Sequence, residues 1–438
     1  MIYLIKRTLK LSGLKDIVVL SSGIFLAQII SFVCQPIATR LYSPEAFGVV
    51  STIVSIASIL APIITLQYHL GIVTAKTDNE ANIICALTFY IIVIMGLITM
   101  AGFIIYIQMN PSATKEVGYW IYISLPLLLL NGLGNVVESY NNRFGQYRLM
   151  SIVSLQRSAI SNALMLFFGV LKMDYLGLVI SRLISVVLGL RRQANYIITN
   201  YTQIFRSSMY EMRAVAVKYK VQPLFSLPGL FMTTYAFSIL PLFINSLYSI
   251  KESGYFFVST TMLGLPLSLI SSSVAKIFFR NATLEKNNKG NFYASFKITL
   301  FLLTLVSGIG FVILWFVAEP FFSILYGNEW IKSGTFVKIL IPMYAIRFIA
   351  QALIYGFIIS GKQLLKLILQ GFFIVEATAI YYFAKIYQFP IESFLEFINI
   401  AYFINYMVIL IVLFYTSKSG GDTSETSKSV LLENQQYG

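Results

Sequence analysis

The sequence is short of charge, shortest of acidic charge, and nearly lacks the side chains that carry most enzyme and metal chemistry. Only 11% of its 438 residues are charged, with 18 Asp and Glu against 32 Lys and Arg, and it has one His and two Cys. Cys34 and Cys85 both fall inside long apolar runs, so neither a disulfide framework nor a zinc site is expected, and no metal or cofactor. No Gly-rich loop ending in Lys-Ser or Lys-Thr occurs, which argues against a nucleotide-driven pump. What is abundant is apolar, with 57% hydrophobic residues including 35 Phe and 28 Tyr. A formal net charge of +14 would suggest nucleic acid for a soluble chain. Here the basic residues lie between apolar stretches, so the expected surroundings are a lipid bilayer and no nucleic-acid partner.

A membrane helix needs about 20 mostly apolar residues to cross the hydrocarbon layer. Twelve stretches qualify: 17–38, 47–73, 82–108, 119–140, 151–171, 176–196, 223–247, 254–280, 292–316, 335–358, 369–386 and 393–416. None alternates with the period of a barrel strand, so the expected fold class is an all-α polytopic membrane protein. Lys and Arg are retained on the cytoplasmic side. One side collects 22 of them and the other 7, which places both termini in the cytoplasm of a multi-pass inner-membrane protein. The basic N-terminus followed by an apolar run reads as an uncleaved first helix, because no small-residue cleavage pattern follows.

The basic stretch near 201–222 divides the chain into six-helix bundles at 1–200 and 223–416, with a disordered tail at 417–438. Its mixed apolar and basic character suits a helix on the membrane surface. Leu41-Tyr42-Ser43 with Gly48 is echoed by Leu247-Tyr248-Ser249 with Gly254, a displacement of 206, and Pro62 is echoed by Pro266. Repeated halves around a midplane site are the architecture of secondary transporters. Pro62, Pro126, Pro266 and Pro342 fall within spans, where each frees a backbone carbonyl and permits a bend.

Arg157, Arg182 and Arg347 are the charges that topology does not explain. A guanidinium at bilayer depth is costly and usually faces a water-filled cavity, and Arg suits phosphate through its planar fork. Arg157 and Arg182 lie about two turns from helix ends, where snorkelling is the alternative; Arg347 lies mid-helix, with Glu376 the expected ion-pair partner. Arg40 sits at the outer rim. His69, Glu138 and Glu376 are candidates for proton or ion coupling, against plain solvation or ion pairing. Gln28, Gln35, Asn131, Asn135 and Gln351 are candidates for sugar contacts, or for bonds between helices. The longest outer loop is expected at 317–334.

The segment Arg40-Leu41-Tyr42-Ser43-Pro44-Glu45-Ala46-Phe47-Gly48 resembles one between the first two helices of bacterial polysaccharide flippases. The run from Val217, Leu240-Pro241, Gly254-Tyr255-Phe256, Ala275 to Arg280, and Leu325-Tyr326-Gly327-Asn328-Glu329-Trp330 continue the likeness. Together they resemble Wzx-type lipid-linked oligosaccharide flippases, of the superfamily that includes the multidrug and toxin extruders. The resemblance implies two six-helix bundles. It also implies an undecaprenyl-diphosphate-linked O-antigen or capsular unit as substrate, moved to the outer leaflet, and a polymerase and chain-length regulator as partners. Gln67 and His69 depart from the basic and acidic residues many relatives carry beside Tyr68. The rival readings are a drug or cation extruder, which would place carboxylates in the cavity, and a membrane glycosyltransferase or polymerase, which would need a catalytic carboxylate or a large outer loop.

Overall fold

A computed structural model describes residues 2–109 and 118–419, and helices dominate it. Six helical spans precede the linker: α1 (Ile2–Leu41), α2 (Pro44–Ile64) with the short α3 (His69–Thr74), α4 (Asp78–Met109), α5 (Ser124–Arg143), α6 (Tyr147–Val170) and α7 (Asp174–Gln193). Three short helices form the linker, α8 (Asn195–Thr199), α9 (Tyr201–Ile204) and α10 (Met209–Lys218). Six spans follow: α11 (Leu227–Ser238) with α12 (Leu240–Leu247), α13 (Ile250–Pro266) with α14 (Ser272–Lys289), α15 (Tyr293–Phe321), α16 (Ile331–Leu353) with α17 (Gly356–Ile359), α18 (Gln363–Tyr387) and α19 (Ile391–Lys418). Ten of the twelve are long and apolar enough to cross a membrane. The other two, α6 and α7, are long enough but carry Arg157 and Arg182. The chain is an all-α, multi-pass membrane protein.

Three expectations change. The span 47–73 is not continuous: α2 ends at Ile64, two residues past Pro62, and the chain turns through Leu66 and Gln67 at φ of 45° and 61° before α3. Proline at 62 removes a ladder bond near the helix end, and the left-handed pair completes the break. Around Pro266 the outcome differs, since a π-helical turn at Leu267–Ser271 carries the chain into α14. The loop expected at 317–334 is absent, because α15 runs to Phe321 and a π-turn (Phe322–Tyr326) and a 3-10 turn (Asn328–Trp330) lead into α16. Of the tail, Ser417 and Lys418 belong to α19; residues 420–438 lie outside the described residues.

Local signals account for the helix ends. Ser43 caps α2 by accepting from the amide of Ala46 at 3.2 Å, with Pro44 in the first helical position and Glu45 in the first turn. Ser208 and Glu211 form a reciprocal capping box on α10. The backbone amide and hydroxyl of Ser208 hold the Glu211 carboxyl below the usual range. Gly290 ends α14 at φ 78°.

Contacts divide the chain into two compact units. One takes the residues up to Met262 with Ala318–Phe336 and Ala377–Ile391; the other takes Leu263–Val317, Val337–Glu376 and the residues from Glu392 on.

Within the first unit the two echoed segments meet. A Cβ on Gly48 would lie 1.9 Å from the carbonyl oxygen of Ile250, and one on Gly254 would lie 1.8 Å from that of Pro44. Pro44 and Ile250 are themselves displaced by 206, so each repeat glycine packs on the residue four before the other. Glycine is required because only its missing side chain lets the backbones approach so closely. Trp330 packs beside this crossing, edge-on to Phe47 at 5.3 Å and Tyr255 at 5.7 Å, its indole N–H donating to the carbonyl of Thr39 at 2.9 Å. Lys251 bridges Glu45 at 3.2 Å and Glu329 at 3.7 Å.

Candidate functional site

The site is built on α5, α6 and α7 of the first unit. Asn131, Asn135 and Glu138 fall at i, i+4 and i+7 along α5, so one stripe of that helix is polar. Arg157 on α6 lies within electrostatic reach of both Glu138 and Arg182. Arg182 and Glu138 are exposed, and Arg157 is half-buried. The three form one charged cluster on adjoining helices. Two arginines against one carboxylate leave it net positive.

A close helix contact makes room for Arg157. A Cβ on Gly189 of α7 would lie 2.4 Å from Arg157 Cγ and 2.3 Å from its Cδ, so the arginine stem rests on bare backbone. Towards the linker end of α7, Arg192 Nη1 donates to Gln156 Oε1 at 2.5 Å. A cavity of about 520 Å³ opens there, lined by Gln146, Leu149, Leu188, Arg191, Arg192, Asn195 and Tyr196. In the sequence Arg191 and Arg192 count among the 22 basic residues of the cytoplasmic side, and Gly189 is one more small residue in a span. The signal available was the run of three basic positions, 182, 191 and 192, along one helix.

The remaining sequence candidates are distributed. Gln28 and Gln35 lie on the stripe of α1 that carries Ser31, whose hydroxyl meets Ser158 Oγ at 3.1 Å and accepts from Asn162 Nδ2 at 3.1 Å. That stripe runs against α6, which travels in the same direction as α1, and Gln35 is buried. Arg40 is turned to the protein, Nη2 donating to the carbonyl of Ile324 at 3.0 Å. His69 is buried just after the break, its Nδ1 3.0 Å from Thr65 Oγ1, and Gln67 Nε2 donates to the carbonyl of Pro62 at 3.1 Å. In the second unit the Arg347 guanidinium lies over the Tyr344 ring at 5.4 Å and interacts with Tyr406. The Glu376 carboxylate accepts from Asn405 Nδ2 at 3.4 Å. Gln351 on α16 is exposed. The first unit thus gathers Asn131, Asn135, Glu138, Arg157 and Arg182, whereas Arg347, Gln351 and Glu376 belong to the second.

A family described as polysaccharide biosynthesis protein matches residues 37–335. The chain is 22% identical over 319 residues to the succinoglycan biosynthesis transport protein ExoT of Rhizobium meliloti, a match covering 69% of this chain and 60% of that protein's length. Among solved structures it resembles a multidrug resistance MATE family transporter of the MOP superfamily in an inward-facing conformation. The TM-score is 0.65 at 15% identity, covering 91% of this chain and 93% of that one. It also resembles a MOP superfamily transporter from Pyrococcus furiosus described as having a binding pocket of reverse polarity. That TM-score is 0.55 at 17% identity, covering 92% and 95%. The fold is that of these transporters, two bundles of six helices.

Proposed function

The chain belongs to the polysaccharide biosynthesis protein family, and from that premise we propose that it is a transporter, a flippase for a polyprenyl-diphosphate-linked oligosaccharide. It moves an undecaprenyl-diphosphate-linked O-antigen or capsular repeat unit from the cytoplasmic to the outer leaflet of the inner membrane by alternating access, with both termini in the cytoplasm. A polymerase and a chain-length regulator would act on what it delivers. The observation that carries this reading is the charged cluster of Glu138, Arg157 and Arg182, net positive and set on three adjoining spans. A diphosphate suits paired guanidinium forks. Asn131 and Asn135 on the adjoining stripe offer amides to sugar hydroxyls, as do Gln28, Gln35 and Gln351.

The cavity beside Arg191 and Arg192 lies at the linker end of α7, the cytoplasmic end in this orientation. It supplies a first resting place for the diphosphate before Arg157 and Arg182. The Gly48 and Gly254 crossing lies at the opposite, outer end in this orientation, where its parting would open the exit. Arg347 adds positive charge in the second unit, Arg40 stands near the exit, and His69, Glu138 and Glu376 are the groups offered to a coupling ion.

The test is surface polysaccharide in a deletion strain carrying variants. Arg157→Ala and Arg182→Ala each lower it by about tenfold or more, since a charge-assisted hydrogen bond is worth about 1.5–3 kcal/mol; Arg148→Ala, exposed on α6, leaves it unchanged. Wild-type polysaccharide from both arginine variants would overturn the reading. A drug extruder is the rival that shares this fold, and drug resistance on expression with no polysaccharide defect on deletion would establish it.

A further inference from the structure

The linker helix α10 carries apolar residues on both of its faces. Met212 and Val215 are buried inward. The opposite face carries Met209, Tyr210, Arg213 and Val217, with Tyr210 84% and Met209 74% exposed. On a helix bathed in water that face would be polar. The pattern continues on both sides, with Tyr201 and Phe205 before α10, and Val221, Leu224 and Phe225 after it, all exposed. Arg206, Arg213 and Lys220 are interleaved with them and are exposed as well. Lys218 is otherwise engaged, in an ion pair with Glu80 of α4.

We propose that the outward face of α10 and its flanks is a binding surface for anionic lipid headgroups, with Tyr210, Met209 and Val217 inserted among the acyl chains and Arg206, Arg213 and Lys220 on the phosphates. Two observations select lipid over a protein partner. The segment is tied at both ends to membrane spans, α7 ending at Gln193 and α11 beginning at Leu227, so it cannot leave the membrane surface. Its one acidic residue, Glu211, is held in the capping box of α10 and Lys218 is paired with Glu80, so Arg206, Arg213 and Lys220 are the charges it presents. Apolar residues interleaved with basic ones are what an anionic interface holds.

The surface also has a route to the transport machinery. Tyr68, at the break between α2 and α3, donates its hydroxyl to the carbonyl of Ala216 on α10 at 3.1 Å. A Cβ on Gly71 would lie 3.1 Å from the Tyr219 ring. α10 therefore holds α3, and lipid that fixes α10 fixes the piece of the second span beyond its break. The inference needs only the membrane spans, and not the proposed substrate.

The test uses the full chain with Cys34→Ala and Cys85→Ala and an environment-sensitive thiol label on Tyr210→Cys. It is reconstituted in nanodiscs of phosphatidylcholine alone and with increasing phosphatidylglycerol. The expected result is that quenching of the label by aqueous iodide falls as phosphatidylglycerol rises. In Arg206→Gln, Arg213→Gln, Lys220→Gln protein the phosphatidylglycerol needed rises by at least about tenfold, from about fivefold per basic residue. Equal quenching in both lipids would overturn the proposal, as would a triple variant that responds like the parent. Protection in native membrane vesicles but not in nanodiscs would assign the surface to a protein and overturn it too. Failure of polysaccharide export in the Arg157 and Arg182 variants, or its persistence, leaves this readout unchanged.

Discussion

Gly189 carries no chemistry, yet Arg157 depends on it. Its missing side chain leaves the space that the arginine stem fills, 2.3 Å from where a Cβ would stand. Gly189→Ala is expected to push Arg157 aside. The stem is flexible, so the fold absorbs the change at about 1–3 kcal/mol of overpacking, while polysaccharide export falls towards the level of Arg157→Ala. A thermal melt separates the two effects, and unchanged export would show that Arg157 acts independently of its seat. Arg157 and Arg182 were legible in the sequence as charges at the wrong depth. Gly189 was not, because a glycine in a membrane helix has many uses and only the neighbouring helix selects one. Arg40 was legible as a charge at a rim, but its bond to the Ile324 carbonyl joins residues 284 apart.

Helices were the most legible element, since the length and apolarity of a run state whether it can span. Their interruptions were less so. Pro62 marks a disturbance, but the sequence does not say whether a kink, a π-turn or a break follows. At Pro62 the left-handed Leu66 and Gln67 break the helix, and after Pro266 a π-turn continues it. The repeat glycines show the reverse relation, a short sequence echo whose purpose is a contact between its two copies. Because Gly48 and Gly254 each face a backbone carbonyl that cannot swing aside, Gly48→Ala and Gly254→Ala are each expected to destabilise by about 1–3 kcal/mol. The two effects are expected to be similar in size and less than additive when combined, since both part the same pair of backbones. Denaturation of the purified single and double variants in detergent checks this, and strict additivity would mean that the two contacts are independent.

For the whole molecule, the proposed alternating-access cycle has this crossing separate at every turn. Glu45 and Lys251 sit on its two sides, with their charged atoms 3.2 Å apart and both side chains partly exposed. Exposed pairs of this kind contribute about 0–1 kcal/mol, so Glu45→Cys with Lys251→Cys is expected to fold and export normally when reduced. Joining the two thiols with a short cleavable cross-linker is expected to stop export, and reduction to restore it. Export that continues through a quantitative cross-link would mean that the crossing stays shut during transport.

The sequence by itself determined the solvent, the number of spans and which charges were out of place, because apolar length and charge depth act on each segment separately. It also carried the repeat, since a displacement of 206 is visible without coordinates. Only the tertiary structure decided which out-of-place charges stand together, why Gly189 and the repeat glycines are glycines, and where the second span breaks. Those outcomes depend on backbone and side-chain contacts between residues far apart in sequence, such as Gly48 with Ile250 and Arg157 with Gly189, and no property of one segment specifies the neighbour it will meet.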